Sequence, residues 1–325
     1  MSEWAPCYNL PTMSTGPIPV PPTPAPATPK RYYTSVFPGK SQPVPDDLAS
    51  AILDLEAKLQ KPLWLMLQTD TENGLFEDIS NDVREGFLGE KSSLVPGEKI
   101  ALLIHSWGGA ARCAYQIAKF FRSQCGGFDA VIPKCAKSAA TLLSLGAQNI
   151  RLGQHGELGP LDAQLHDPER EDYMSALDEV QTLERLHSFS IRAVDSTVLM
   201  LRYRTGKKME TLLPQVLSFV SQMMVPLFEA IDTTHYTQMS RVLKVAEEYA
   251  VRLLQPQYSR DRAQNIARHL VENYPEHGFC IDHEEATSIG LKTIPFTGEE
   301  EAIATRLYPW LGKITLVGRL LEVVP

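Results

Sequence analysis

Lys99-Ile-Ala-Leu-Leu-Ile-His-Ser-Trp-Gly-Gly-Ala-Ala111 and Phe128-Asp-Ala-Val-Ile-Pro-Lys-Cys-Ala-Lys-Ser-Ala-Ala-Thr-Leu-Leu-Ser-Leu-Gly-Ala147 decide the fold. In each, a short apolar run of buried-strand character breaks at a turn, and an apolar pattern of helical period follows. A helix start leaves backbone N–H groups unpaired and carries positive dipole character. Two such starts side by side form a place for an oxyanion, and Ser138 stands at the second. A serine hydroxyl becomes a nucleophile when a base takes its proton and donors hold the oxyanion. Gly108 and Gly109 permit a sharp turn and close approach of substrate, and the Ala139 N–H points out of the helix start. The plain alternative is that Ser138 only caps its helix.

Working outward, alternating strand and helix implies a parallel sheet with right-handed crossovers. Asp47 to Leu59 reads as a helix, Pro62 to Gln68 as a buried strand, and Phe76 to Phe87 as a helix. Glu98 to Ile104, Phe128 to Pro133 and Asn149 to Leu152 are further strands, with helices at Ala110 to Arg122 and Ala139 to Leu145. Residues 1–46 read as a Pro-rich, disordered tail, holding twelve of the 24 prolines. Residues 47–165 form the core, 166–272 a helical region for oligomerisation or gating, and 273–325 a return to the core. The helical region is expected at Tyr173 to Arg204, Lys208 to Ala230, Thr234 to Leu254 and Arg260 to Asn273, with Met223-Met224-Val-Pro-Leu-Phe228 as an apolar contact.

The strings Ile104-His-Ser-Trp-Gly-Gly109, Ala136-Lys-Ser-Ala-Ala-Thr-Leu-Leu-Ser-Leu-Gly-Ala147 and His155-Gly-Glu-Leu-Gly-Pro-Leu-Asp162 resemble the Clp-fold serine proteinases of the serine dehydrogenase proteinase family. These are relatives of signal peptide peptidase A and, more distantly, of the Clp protease subunit and the crotonases. A weaker echo occurs at Tyr274-Pro-Glu-His-Gly-Phe-Cys-Ile-Asp-His-Glu-Glu-Ala-Thr-Ser-Ile-Gly-Leu291. The resemblance implies an α/β fold, a ClpP/crotonase-like repeated β-β-α spiral with a parallel sheet plus a helical insertion. It implies a serine peptidase that acylates Ser138, with the oxyanion held by backbone N–H groups of Gly108, Gly109 and Ala139. It implies a peptide or protein substrate, a homo-oligomer by analogy, and no cofactor.

The base stays open between several residues. His155 follows the Ser138 helix, where Clp-type proteases also carry a histidine nearby. Alignment on Gly146-Ala147 puts the Clp base position nearer Leu161-Asp162. His277 falls where the Clp family has its acidic third member, so a Ser138–His277 pair with Asp162 orienting the imidazole is a further arrangement. A lysine, as in signal peptide peptidase A, would have to be Lys207 or Lys208, since no lysine occurs between Lys137 and Lys207. Trp107 replaces the proline that the Clp pattern places before the paired glycines, and is expected to line the substrate groove. His105 reads as packed at a strand end, and Cys135 as core.

A formal net charge of -8 argues against nucleic acid as the main partner. No run approaches the ~18 apolar residues that span a bilayer, and no signal-peptide pattern opens the chain. Five irregularly spaced cysteines suggest reduced thiols and a cytoplasmic setting. No Cys-x-x-Cys or His-Glu-x-x-His occurs, so no metal is expected. A partner for the Pro-rich tail is a further expectation. Two other readings stand beside the peptidase: an inactive Clp-fold scaffold that binds partners, and a crotonase-like acyl-CoA enzyme using the same oxyanion hole.

Overall fold

The computed structural model describes residues 31–35, 44–70, 77–162, 164–167 and 172–323. The chain opens with strand β1 (Arg31–Thr34), helix α1 (Asp46–Leu59), β2 (Leu63–Leu67), α2 (Asn81–Gly89), β3 (Ile100–His105) and α3 (Ala111–Gln124). There follow β4 (Phe128–Ile132), β5 (Cys135–Ala136), α4 (Ala139–Leu145), β6 (Asn149–Leu152) and β7 (Glu157–Leu158). A hairpin of β8 (Gln164–Asp167) and β9 (Asp172–Ser175) leads to four helices, α5 (Ala176–Thr205), α6 (Met209–Glu229), α7 (Thr233–Leu254) and α8 (Arg260–Glu272). The chain closes with α9 (His283–Ser288), β10 (Thr293–Pro295), α10 (Gly298–Leu307) and β11 (Leu316–Val323).

The main sheet has the order β1-β11-β2-β3-β4-β6-β10. β2, β3, β4, β6 and β10 run parallel, while β11 is antiparallel to both β2 and β1. Apolar runs in β2, β3 and β4 bury both faces, as a helix-covered parallel sheet requires. Trp64, Met66, Leu102, Ile104, Phe128 and Ala130 pack on one side against helices α2, α3, α4, α7 and α8. Leu63, Leu65, Leu67, Leu103 and Val131 pack on the other against α1 and α10.

Three main strands continue into a second, smaller layer. Beyond β3, Ser106 bridges Ala136; beyond β4, β5 pairs with β7; beyond β6, Leu158 of β7 bridges Ile281. Strand, short strand, then helix recurs in β3–Ser106–α3 and in β4–β5–α4. This is the repeated spiral that the resemblance implies.

The structure departs from the sequence reading in several places. Arg31–Thr34 falls within the expected tail, yet it pairs with β11 and closes the sheet. Residues 1–30 lie outside those described. Helix α2 begins at Asn81 because Ser80 Oγ accepts from the Val83 N–H; the expected start at Phe76 also lies outside the described residues. The helical region is not a separate block. Leu243, Ala250, Leu253, Ile266 and Leu270 of α7 and α8 belong to the main core, and only α5 and α6 pair chiefly with each other.

Among the described helices α6 is long and apolar enough to cross a bilayer by length and composition, with a mean hydropathy of 1.4. It packs along α5, burying Leu212, Val216, Val220 and Met224.

Candidate active site

The turn after β3 is held against the start of α4 by backbone pairing. Ser106 N–H donates to Cys135 O at 3.1 Å, and Lys137 N–H to Ser106 O at 2.9 Å. This brings Gly108 so close to Ser138 that a Cβ on Gly108 would lie 2.8 Å from the Ser138 Cβ. Only glycine fits there, and its φ of +118° is one that L side chains rarely adopt.

Ser138 itself sits at φ 49° and ψ -118°, one of two non-glycine residues with positive φ among those described. Such backbone costs on the order of 1–3 kcal/mol. The side chain makes no capping hydrogen bond to α4, so the plain helix-cap role is not what the serine performs. Ser138 instead lines a cleft of about 350 Å³, together with Trp107, Gly109, Ala139, Leu142, Asp162 and His277 among others.

Two backbone donors face this region without a protein partner among the described residues. The parallel bridge between Ile79 and Gly109 uses Gly108 O and Ala110 N–H, which leaves the Gly109 N–H unpaired. The Ala139 N–H, at the first turn of α4, is likewise unpaired. Gly108 differs from expectation: its N–H donates to Ser106 Oγ at 3.1 Å, and Ser106 Oγ in turn donates to Gln68 Oε1.

His277 and Asp162 reach the same cleft from distant parts of the chain. Burial lowers the pKa of His277, partly offset by the neighbouring Asp162, and Lys137 lowers it further. Its Nδ1 is buried and without a hydrogen-bond partner. Burial raises the Asp162 carboxyl, against bonds from Ser175 and Leu177 and the nearby imidazole. Leu177 N–H donates to Asp162 Oδ1 at 3.2 Å, which ties the carboxylate to the first turn of α5.

The other expected bases lie elsewhere. His155 is exposed, 5.7 Å from the Tyr308 ring centroid, and is not among the residues lining the cleft. It was expected from its place after α4, but the β6–β7 turn carries it toward α10. Lys207 and Lys208 are exposed at the α5–α6 junction. Lys137 is buried and turned away from the cleft: its Nζ donates to Leu158 O at 3.2 Å and Phe279 O at 3.1 Å, and pairs with Glu157 at 3.1 Å.

Sequence reasoning missed the apolar walls. Leu142, Leu161, Val242 and Ala246 line the cleft, and the α7 pair carries no signal beyond helical periodicity. It also missed Asp70, which accepts from the Trp107 indole N–H at 2.6 Å. His105 is fully buried as read, and Cys135 is core, its thiol pushed up to about 12 by burial. Among the described residues no group of three His, Cys, Asp or Glu side chains is arranged to hold a metal ion.

Comparison with known proteins matches residues 90–202 to the ClpP-like SDH-type serine proteinases. An uncharacterised protein of Methanocaldococcus jannaschii is 22% identical over 209 residues, covering 64% of this chain and 58% of that protein. A second from the same organism is 23% identical over 212 residues, covering 65% and 57%. The chain thus spans less than two thirds of the length of these relatives. A ClpP1 point mutant from Listeria monocytogenes is a structural neighbour at 18% identity, covering 48% of this chain and 80% of that one, with a TM-score of 0.24.

Proposed function

We propose, from the match of residues 90–202 to the ClpP-like SDH-type serine proteinases, that this chain is a serine peptidase with Ser138 as nucleophile. The observation that carries the reading is the Ser138 backbone, held at positive φ with its side chain making no cap, at a residue that lines a cleft. In the proposed reaction Ser138 Oγ attacks the scissile carbonyl while its proton passes to His277. The oxyanion is held by the N–H groups of Gly109 and Ala139. The proton is then given to the departing amine, and water hydrolyses the ester by the reverse sequence. Asp162 favours the imidazolium that forms between these steps. His277 is the preferred base because it lines the cleft and His155 does not.

The proposed substrate is a peptide or protein, bound as an extended strand beside the glycine turn. A homo-oligomer is proposed on the exposed apolar residues of α5 and α6, and a cytoplasmic setting on the free Cys113, Cys125, Cys135 and Cys280. The test is labelling of the purified chain with a fluorophosphonate, wild type against Ser138→Ala. Labelling present in the wild type and lost in the variant is expected. An unlabelled wild type overturns the peptidase reading and favours a scaffold.

A further inference from the structure

Trp107 directly precedes the paired glycines Gly108 and Gly109 of the turn after β3. It is 51% exposed, yet its indole is not free. Nε1–H donates to Asp70 Oδ1 at 2.6 Å. Asp70 is itself fixed from several sides. Its N–H donates to Gly312 O at 2.9 Å, and Gly312, at φ +80°, lies so near that any Cβ there would overlap the Asp70 carboxylate. The buried His105 places Nε2 3.3 Å from the same Oδ1 and Nδ1 3.4 Å from Cys135 Sγ. Lys134 Nζ stands 4.0 Å from Oδ2. A chain of contacts therefore runs from the cleft wall through Asp70 into the strand layer beneath Ser138.

We propose that Asp70 is a positioning residue that latches the Trp107 indole as a fixed wall of the Ser138 cleft, confining the site to acyl groups with a compact apolar side chain. The inference rests on the peptidase reading above. An exposed indole on a glycine turn otherwise visits several staggered rotamers. A bond from its N–H to a carboxylate, stronger than a bond between neutral groups, selects one of them. With the indole so placed, the cleft measures about 350 Å³, near the small end for ligand pockets. Its other walls, Leu142, Leu161, Val242 and Ala246, are apolar. Asp162 and His277 are the titratable groups that line it, and neither offers a partner for a long charged side chain without leaving the proposed acylation geometry.

The test uses the full chain and two fluorophosphonates, one with a methyl and one with a bulky aryl substituent on phosphorus, with the labelling rate at residue 138 read for each. Asp70→Ala is expected to raise the bulky-to-small rate ratio about tenfold, the order set by losing one hydrogen bond to a charged group. Asp70→Asn, whose amide oxygen still accepts, is expected to move it less. Trp107→Phe is expected to match Asp70→Ala, and combining the two is expected to add nothing further. A ratio unchanged by Asp70→Ala but altered by Trp107→Phe overturns the latch, as do additive effects. Failure of both probes on the wild type overturns the peptidase reading instead. Indole emission then decides the latch by itself, taken as the difference between each protein and its Trp107→Phe counterpart. A shift between wild type and Asp70→Ala supports it, and identical difference spectra overturn it.

Discussion

At the scale of single residues, the proposed base His277 is expected to carry the pH dependence of the proposed activity. Burial lowers its pKa, so the neutral imidazole needed by a base persists below the ordinary histidine value of about 6.5. Fluorophosphonate labelling is expected to rise with pH, with a midpoint under that value. Asp162 raises the His277 pKa; Asp162→Asn removes that charge and is expected to move the midpoint further down. His277→Ala is expected to slow labelling by about 10²–10⁴-fold, the usual weight of a general base, whereas His155→Ala is expected to leave it unchanged. Gly108→Ala places a Cβ 2.8 Å from that of Ser138 at φ +118°. Loss of labelling is expected there, with a lowered melting temperature from the strained backbone.

At the scale of elements, the start of α4 depends on Lys137. Its buried Nζ holds the carbonyls of Leu158 and Phe279 and the carboxylate of Glu157, fastening β7 and the segment after α8 under the Ser138 turn. Lys137→Met leaves those acceptors unpaired and is expected to cost about 2–3 kcal/mol, read from urea unfolding. Elements with a full period of pattern were legible in the sequence. Ala139–Leu145 and Asn149–Leu152 have the expected bounds. β5 and β7, two residues each, are too short for any periodicity to mark them. Strand β1 was hidden by the prolines that flank it, Pro29 and Pro38, and by a pairing with β11 made across almost the whole chain. Helix α10 had a readable signal: Thr297 and Glu300 form a capping box.

At the scale of the whole molecule, α5 and α6 leave an apolar groove of about 720 Å³ that includes Ile191, Leu217 and Phe228. Phe219 and Leu227 beside it are also exposed. This exposed apolar groove is the surface on which the proposed oligomer would form. Sedimentation of the wild type is expected to give a homo-oligomer, and Leu217→Lys a lower mass at equal concentration. A wild type that stays monomeric at every concentration removes the oligomer proposal. The helices that sequence reading grouped together divide here by what they touch: α7 and α8 complete the core and the cleft, while α5 and α6 extend from it.

By itself the sequence determined the two strand-turn-helix units, the glycines at the first turn and the serine at the second, because each rests on local geometry. Backbone freedom, helical period and the unpaired N–H groups of a helix start are properties of a few adjacent residues. Only the tertiary structure decided which histidine lines the Ser138 cleft, which glycine N–H stays unpaired and what walls the cleft. Those are outcomes of packing between distant segments: α8 and the loop after it carry His277 inward, the β6–β7 turn carries His155 outward, and Ser106 claims the Gly108 N–H. No pattern along the chain encodes such choices, since each depends on where the other side chains have already been placed.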